Sequence, residues 1–216
     1  MKVQYNKKQL IILGVIAFYF IGSIMMNVLT MKTLQLGSVS VFTCGIMMTP
    51  LVFACNDILT ECMGKKFAFR VILVGAGINL AWSLLCAAAI ALPGNNEYIA
   101  DCFKTILGST WRITASSIIA YIGSGFINNW IMDRLKLRDG KRRYYLRAIS
   151  STAFGQLFDD YVFMFLAFAP VGISAIENPW AAILTVPLVS AIVETIIEAV
   201  VTPISKRICD IINSEE

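Results

Sequence analysis

The 216-residue sequence predicts an all-α integral membrane protein, six transmembrane helices in a single domain over residues 1–216 with both termini cytoplasmic. Three observations carry this. First, 57% of the residues are apolar and only 15% charged, against roughly a quarter charged in soluble domains, and mean hydropathy is +0.72. Second, the apolar residues gather into six stretches near the length of about 20 residues that crosses a bilayer. Third, Lys and Arg concentrate in alternate connections. This composition excludes disorder, a nucleic-acid-binding tail and an ordinary soluble core.

The spans run over residues 9–29, 37–60, 71–92, 110–132, 146–168 and 180–204. The first is too long and too evenly apolar for a signal-peptide core, and no A-x-A site follows it, so it is expected to remain as a membrane helix. Pro50 interrupts the second, and Pro187 and Pro203 the sixth. Each proline frees a carbonyl four residues earlier, which fits either a packing kink or a broken helix at a cavity. The outer connection at 93–109 carries Pro-Gly-Asn-Asn, which is turn chemistry. Gly75-Ala76-Gly77 and Gly123 with Gly125 suit close helix contacts, and Trp130 and Trp180 suit lipid-facing or interfacial positions.

Charge sets the orientation. Fifteen basic residues lie at the N-terminus (Lys2, Lys7, Lys8), the second connection (Lys65, Lys66, Arg70), the fourth (seven from Arg134 to Arg147) and the C-terminus (Lys206, Arg207). The alternate side holds two, Lys32 and Lys104, with Arg112 at a span entrance. The positive-inside rule then places both ends in the cytoplasm. The net charge of +4 is thereby an orientation signal, and no nucleic-acid partner is expected.

Histidine is absent, which removes a Ser-His-Asp triad and an H-E-x-x-H zinc site. The six cysteines form no C-x-x-C pair and mostly sit in apolar runs, so no disulfide framework, metal or cofactor is expected. Without a G-x-S-x-G elbow, an intramembrane hydrolase has no support either.

The informative residues are polar ones inside the spans. A carboxylate at the bilayer centre costs roughly 2.5–3.5 kcal/mol, so it survives by facing a cavity or a partner. Asp57 and Glu61, and Glu194 and Glu198, are spaced i, i+4 and share helix faces. Gln156 precedes Asp159 by three residues, with Asp160 adjacent. Asn27, Asn56, Asn79, Asn128 and Asn129 add amides. Glu61 is expected to pair at the interface with Lys65 and Lys66. Arg112 is the basic residue near these acids that lies outside a clear loop, so several acids must be protonated, solvated or matched by a ligand. Phe158 or Tyr161, beside Asp159, is available to stack on a flat ligand.

These segments carry a resemblance. N-D-I-L-T-E-C-M-G-K-K at 56–66 is similar to the T-D-I-x-x-E-x-Y-G-x-x motif of the queuosine precursor transporter family, also called vitamin uptake transporter-like. R-I-T-A-S-S-I-I-A-Y-I at 112–122 and W-I-M-D-R-L-K at 130–136 match its fourth helix and exit. S-S-T-A-F-G-Q-L-F-D at 150–159 and F-M-F-L-A-F at 163–168 match its fifth, and Asn27 matches the end of its first. The resemblance implies a six-helix bacterial inner-membrane importer of 7-deazaguanine bases: queuine and the cyano- and aminomethyl-deazaguanines. It places Asn27, Asp57, Glu61, Arg112, Gln156 and Asp159 on family motifs. Departures are Asn56 for Thr, Met63 for Tyr, Asn128 for an Asp, and Glu194-x-x-x-Glu198 where the family has Lys-x-x-x-Glu. A Lys lost and a Glu gained favours a more cationic ligand.

The expected substrate-binding set is therefore Asn27, Asp57, Arg112, Gln156, Asp159, Glu194 and Glu198, with no catalytic and no metal-binding residue. A guanine-like base presents two N–H donors side by side that one carboxylate accepts, and an amide serves the remaining edge. Asp159 and Gln156 are expected to read the base, and Glu194 or Glu198 to meet an amine or couple protons. The partners are a small purine-like base and the bilayer, and size alone points to a homodimer. The rival reading is the substrate-binding subunit of an energy-coupling-factor importer. Those subunits show an A-x-x-x-A motif in the first helix, where this chain has only Ala17. No Walker A motif is present.

Overall fold

The computed structural model describes residues 6–30, 32–36, 39–108, 111–139, 143–168 and 179–214, without side-chain surroundings at some positions within them. The chain runs α1 (Lys7–Thr30), β1 (Thr33–Leu36), β2 (Val39–Thr43), a 3-10 turn (Cys44–Met47), α2 (Thr49–Met63), α3 (Lys65–Ala91), α4 (Glu97–Leu107), α5 (Trp111–Asp139), α6 (Tyr144–Phe168) and α7 (Pro179–Ser214).

Polarity is distributed inside out relative to a soluble protein. Leu84, Leu85, Ile196, Val200 and Ile204 are exposed, whereas Asp57, Ser124, Asn128, Thr152, Gln156 and Glu198 have no exposed surface. Water would favour the reverse; hydrocarbon outside and hydrogen-bonded polar groups inside is the arrangement a bilayer selects. α1, α3 and residues Ile183–Ser214 of α7 are each long and apolar enough to cross a membrane. α5 and α6 have 29 and 25 residues and carry much of the polar interior. The protein is a helical, multi-pass membrane protein.

The second apolar stretch departs from the continuous helix expected over 37–60. β1 and β2 pair antiparallel, from Thr33 opposite Thr43 to Leu36 opposite Val39. The Cys44 amide, donating to the Lys32 carbonyl (2.7 Å), closes the base of the hairpin. α2 then has only 15 residues, a rise of about 22 Å against a hydrocarbon core of about 30 Å. Pro50 does not kink it. It occupies the first turn, where its missing N–H has no intrahelical acceptor anyway. One residue, Gly64, separates α2 from α3 at φ 85°, a conformation a side chain would strain.

The connection at 93–109 contains more than a turn. Asn96 caps α4 by accepting from the Ile99 amide (3.2 Å), and Glu97 in the first turn suits the helix dipole. α4 leaves Tyr98, Ile99, Phe103 and Ile106 exposed, an amphipathic element suited to the membrane surface.

α2 packs against α1, α5 and α7, while α6 lies between α5 and α7. α7 keeps Pro187 and Pro203 within one helix. The Leu184 carbonyl, in the turn before Pro187, accepts from the Tyr161 hydroxyl (3.2 Å). That outside donor suits a turn whose regular ladder a proline has loosened.

Candidate functional site

The interior polar residues stack in three layers along the bundle, because α6 and α7 each present one buried stripe. On α6 the stripe runs Arg147, Ser151, Thr152, Gln156, Asp159; on α7 it runs Ser190, Glu194, Glu198, Thr202, Ser205. Spacings of three and four keep each set on one helix face.

The first layer is a cavity of about 100 Å³ between α1, the start of α2, α5, α6 and α7. Asn27, Thr49, Ser117, Asp159, Asp160, Ser190 and Glu194 supply its polar wall, and Met26, Phe163, Met164 and Pro187 its apolar one. Asn27 is held on both ends of its amide. Its Nδ2 donates to Asn79 Oδ1 (2.7 Å), and its Oδ1 accepts from the Ser117 hydroxyl (3.3 Å). Asn79 in turn donates to Ser23 Oγ (2.9 Å) and to the Gly75 carbonyl (3.0 Å). Asp159 accepts from the Ser124 hydroxyl (2.9 Å). Asp160 Oδ2 and Glu194 Oε2 have no hydrogen-bond partner among the described residues. The wall thus holds three carboxylates, and no Lys or Arg is among its described residues.

The second layer lies deeper. Asp57 accepts from Asn128 Nδ2 (2.8 Å) and from the Thr152 hydroxyl (3.4 Å). Glu198 interacts electrostatically with it, and Gln156 stands one turn beyond Thr152 on α6; both are completely buried, with neither Gln156 amide atom and neither Glu198 oxygen partnered among the described residues. The third layer closes the basic end. Glu61 binds Arg147 Nη2 (2.9 Å) and Lys136 Nζ (3.6 Å), and Lys65 pairs with Asp133 (2.8 Å).

Of the expected site residues, Asn27, Asp159 and Glu194 line the cavity, while Asp57, Gln156 and Glu198 stand in the layer beneath. Arg112 is in the first turn of α5, but its side chain lies outside the described residues. Three readings are corrected. Glu61 does not pair with Lys65 or Lys66, since Lys65 turns to Asp133. Arg147, counted among the loop cations, is 1% exposed and is a second basic residue beside the acids. Phe158 is not on the cavity wall; it is partly exposed and its ring covers Gly123, while Phe163 supplies an aromatic ring to the wall. Asp160 and Ser117 also join the wall. Their signal was present, since Asp160 neighbours Asp159 and Ser117 follows Arg112 in the same motif.

A sequence model of the family described as "Putative vitamin uptake transporter" matches residues 43–208. A curated protein of Bacillus subtilis (strain 168), "Probable queuosine precursor transporter", is 24% identical over 158 residues, covering 72% of this chain and 69% of that protein. No solved structure matches the chain.

Proposed function

The chain belongs to the vitamin uptake transporter family, and from that premise we propose that it imports queuosine precursors across the bacterial inner membrane. The family is one of transporters, not enzymes. The substrates of this reading are 7-deazaguanine bases: the cyano and aminomethyl forms, or queuine. Transport is secondary, with six spans, the hairpin and α2 together making the second. Both termini are cytoplasmic, and two chains associate.

The observation that carries the reading is the cavity, where one partnered amide and three carboxylates meet an aromatic and thioether wall. A flat base needs this combination. Asp159, steadied by Ser124, accepts two adjacent N–H groups, and a charge-assisted pair of that kind offsets the cost of a buried carboxylate. Asn27 serves the carbonyl edge, and Phe163 covers a face. Asp160 or Glu194 remains to meet an ammonium, so the aminomethyl base is expected to be taken up in preference to the cyano base.

The test is uptake of labelled queuine and the cyano- and aminomethyl-deazaguanines by cells unable to make them. Expression of the chain is expected to restore accumulation, and Asp159→Asn to reduce it at least about tenfold, the equivalent of one lost charge-assisted contact. No accumulation of any base would overturn the function. Accumulation untouched by Asp159→Asn would overturn the site.

A further inference from the structure

The middle layer does not line the cavity, and its atoms are left in a condition that protein interiors avoid. Asp57, Asn128, Gln156 and Glu198 come from α2, α5, α6 and α7, and each is 0% exposed. Asp57 has a donor on each oxygen, from Asn128 and Thr152. Asn128, having given its Nδ2 to Asp57, leaves its Oδ1 without a donor among the described residues. Gln156 stands one turn beyond Thr152 on the same face of α6 with its Oε1 equally unmet. Both Glu198 oxygens are bare, and Glu198 lies within electrostatic range of Asp57 and Cys55 on α2. The neighbouring Thr202 hydroxyl gives its only proton to the Glu198 backbone carbonyl (2.7 Å). One turn beyond Asp57 on α2, Glu61 engages Arg147 (2.9 Å).

Buried polar atoms are nearly always satisfied, and a group of unsatisfied ones points to a missing water or ion. Acceptors dominate among the unmet atoms, and that points to the missing species. Four oxygens with lone pairs and no donor among the described residues, Asn128 Oδ1, Gln156 Oε1 and the two of Glu198, belong to the layer of Asp57, against one bare donor, Gln156 Nε2. One proton would satisfy one of them. A hard cation takes several oxygen ligands at once, carboxylate and amide carbonyl alike. Glu198 is the one carboxylate here without donors, which calls for a single positive charge, and a site closed to water disfavours Mg²⁺, which gives up its hydration reluctantly. Pro203 adds a further acceptor, because it removes the N–H that would bond the Ala199 carbonyl in the same turn of α7.

We propose that Asp57, Asn128, Gln156 and Glu198 form a sodium-binding site beneath the cavity, and that sodium entering there drives transport. The coupling half of this statement rests on the transport reading above; the binding half does not. With no nucleotide-binding motif in the chain, an ion gradient is its available energy source. α7 links the two layers directly, because Glu194 on the cavity wall and Glu198 in the ion layer are one turn apart.

Purified full-length protein in nanodiscs, held at constant pH and ionic strength, tests binding through its thermal midpoint. Titrating NaCl against choline chloride is expected to raise the midpoint saturably, as any ligand of the folded state does. KCl is expected to do less. Glu198→Gln, nearly isosteric, is expected to abolish the response, and Asn128→Ala to move its midpoint to higher sodium. Glu97→Gln on exposed α4 is expected to leave it unchanged. A midpoint indifferent to sodium, a response equal for sodium and choline, or one undiminished in Glu198→Gln overturns the site. If a variant fails to fold, protection of a single cysteine at Cys55 from a membrane-permeant thiol reagent, read in sodium against choline, decides it in the unaltered site. Protection by sodium supports the proposal, and equal labelling overturns it. Coupling is read in proteoliposomes with labelled aminomethyl-deazaguanine. Accumulation on an inward sodium gradient with the proton gradient collapsed supports it. Accumulation that proceeds equally without sodium overturns it while leaving the import reading intact. Sodium stabilisation with no uptake of any base overturns the import reading and leaves the ion site standing.

Discussion

Arg147 shows what a single charged residue demands of a bilayer-embedded bundle. Its guanidinium is 1% exposed, and it survives there because Glu61 takes Nη2 at 2.9 Å and the Tyr144 ring lies 5.8 Å from the guanidinium carbon. Removing one partner of a buried pair leaves the other charge uncompensated, which costs about 3–5 kcal/mol, whereas replacing both by apolar groups of similar size is often neutral. With Lys136 still 3.6 Å from Glu61, Arg147→Met is expected to destabilise the protein by less than this, about 1–3 kcal/mol. The double variant Arg147→Met with Glu61→Gln is expected to recover most of that loss, as read by denaturant unfolding in detergent. A double variant no better than the single one would show that Arg147 acts through contacts other than Glu61. The same residue explains a limit of sequence reading. In the run from Arg134 to Arg147 every cation has the signature of a topology signal. Only the spacing from Arg147 to Ser151 and on to Asp159, all multiples of four, marks it as the first member of an interior stripe.

At the scale of elements, the contact between α5 and α6 places both the cavity carboxylate and the layer beneath it. Ser124 on α5 reaches Asp159, and Asn128 reaches Asp57 beside Thr152 of α6. Gly155 makes that closeness possible. A Cβ there would stand 2.8 Å from Phe53 Cε1, 3.2 Å from Asn128 Cβ and 3.3 Å from the Ser124 carbonyl, so backbone as well as side chain resists it. Gly155→Val is expected to destabilise the protein by about 1–3 kcal/mol through overpacking. It is also expected to lower uptake, since both polar contacts must lengthen. Gly14→Ala on α1, where an added Cβ meets nothing within 4 Å, is expected to change neither. Thermal melts and uptake assays on the two variants decide the matter. Five of the six apolar runs corresponded to long helices in the sequence because length and apolarity alone identify such elements. The second run did not, for a physical reason: an unbroken apolar stretch has neither the 3.6 nor the 2.0 period, so hairpin and helix look alike within it. The i, i+4 acid pairs were legible as faces. Their division between cavity and deeper layer was not, because it depends on which helix packs opposite.

At the scale of the whole molecule, charge is sorted along the bundle as well as along the sequence. Lys65, Lys136 and Arg147 meet Asp133 and Glu61 at one end, and Lys206 lies 5.2 Å from the Tyr145 ring there. At the other end, where the hairpin begins and α4 lies, the connections hold only Lys32 and Lys104. A bundle inserted with its basic end in the cytoplasm keeps fifteen cations on the side where the anionic leaflet and the membrane potential favour them. The opposite insertion would carry all of them across. Two partly buried cysteines report the outcome, Cys62 at the end of α2 beside the basic layer and Cys102 on α4. In single-cysteine variants, a membrane-impermeant thiol reagent applied to intact spheroplasts is expected to label Cys102 and to reach Cys62 only after permeabilisation. A fluorescent protein fused to the C-terminus is expected to mature, as it does only in the cytoplasm. Labelling of Cys62 before Cys102 would invert the molecule. The cavity, which α1, α6 and α7 frame towards the hairpin end, would then open to the cytoplasm, and import would have to begin from the Glu61–Arg147 end.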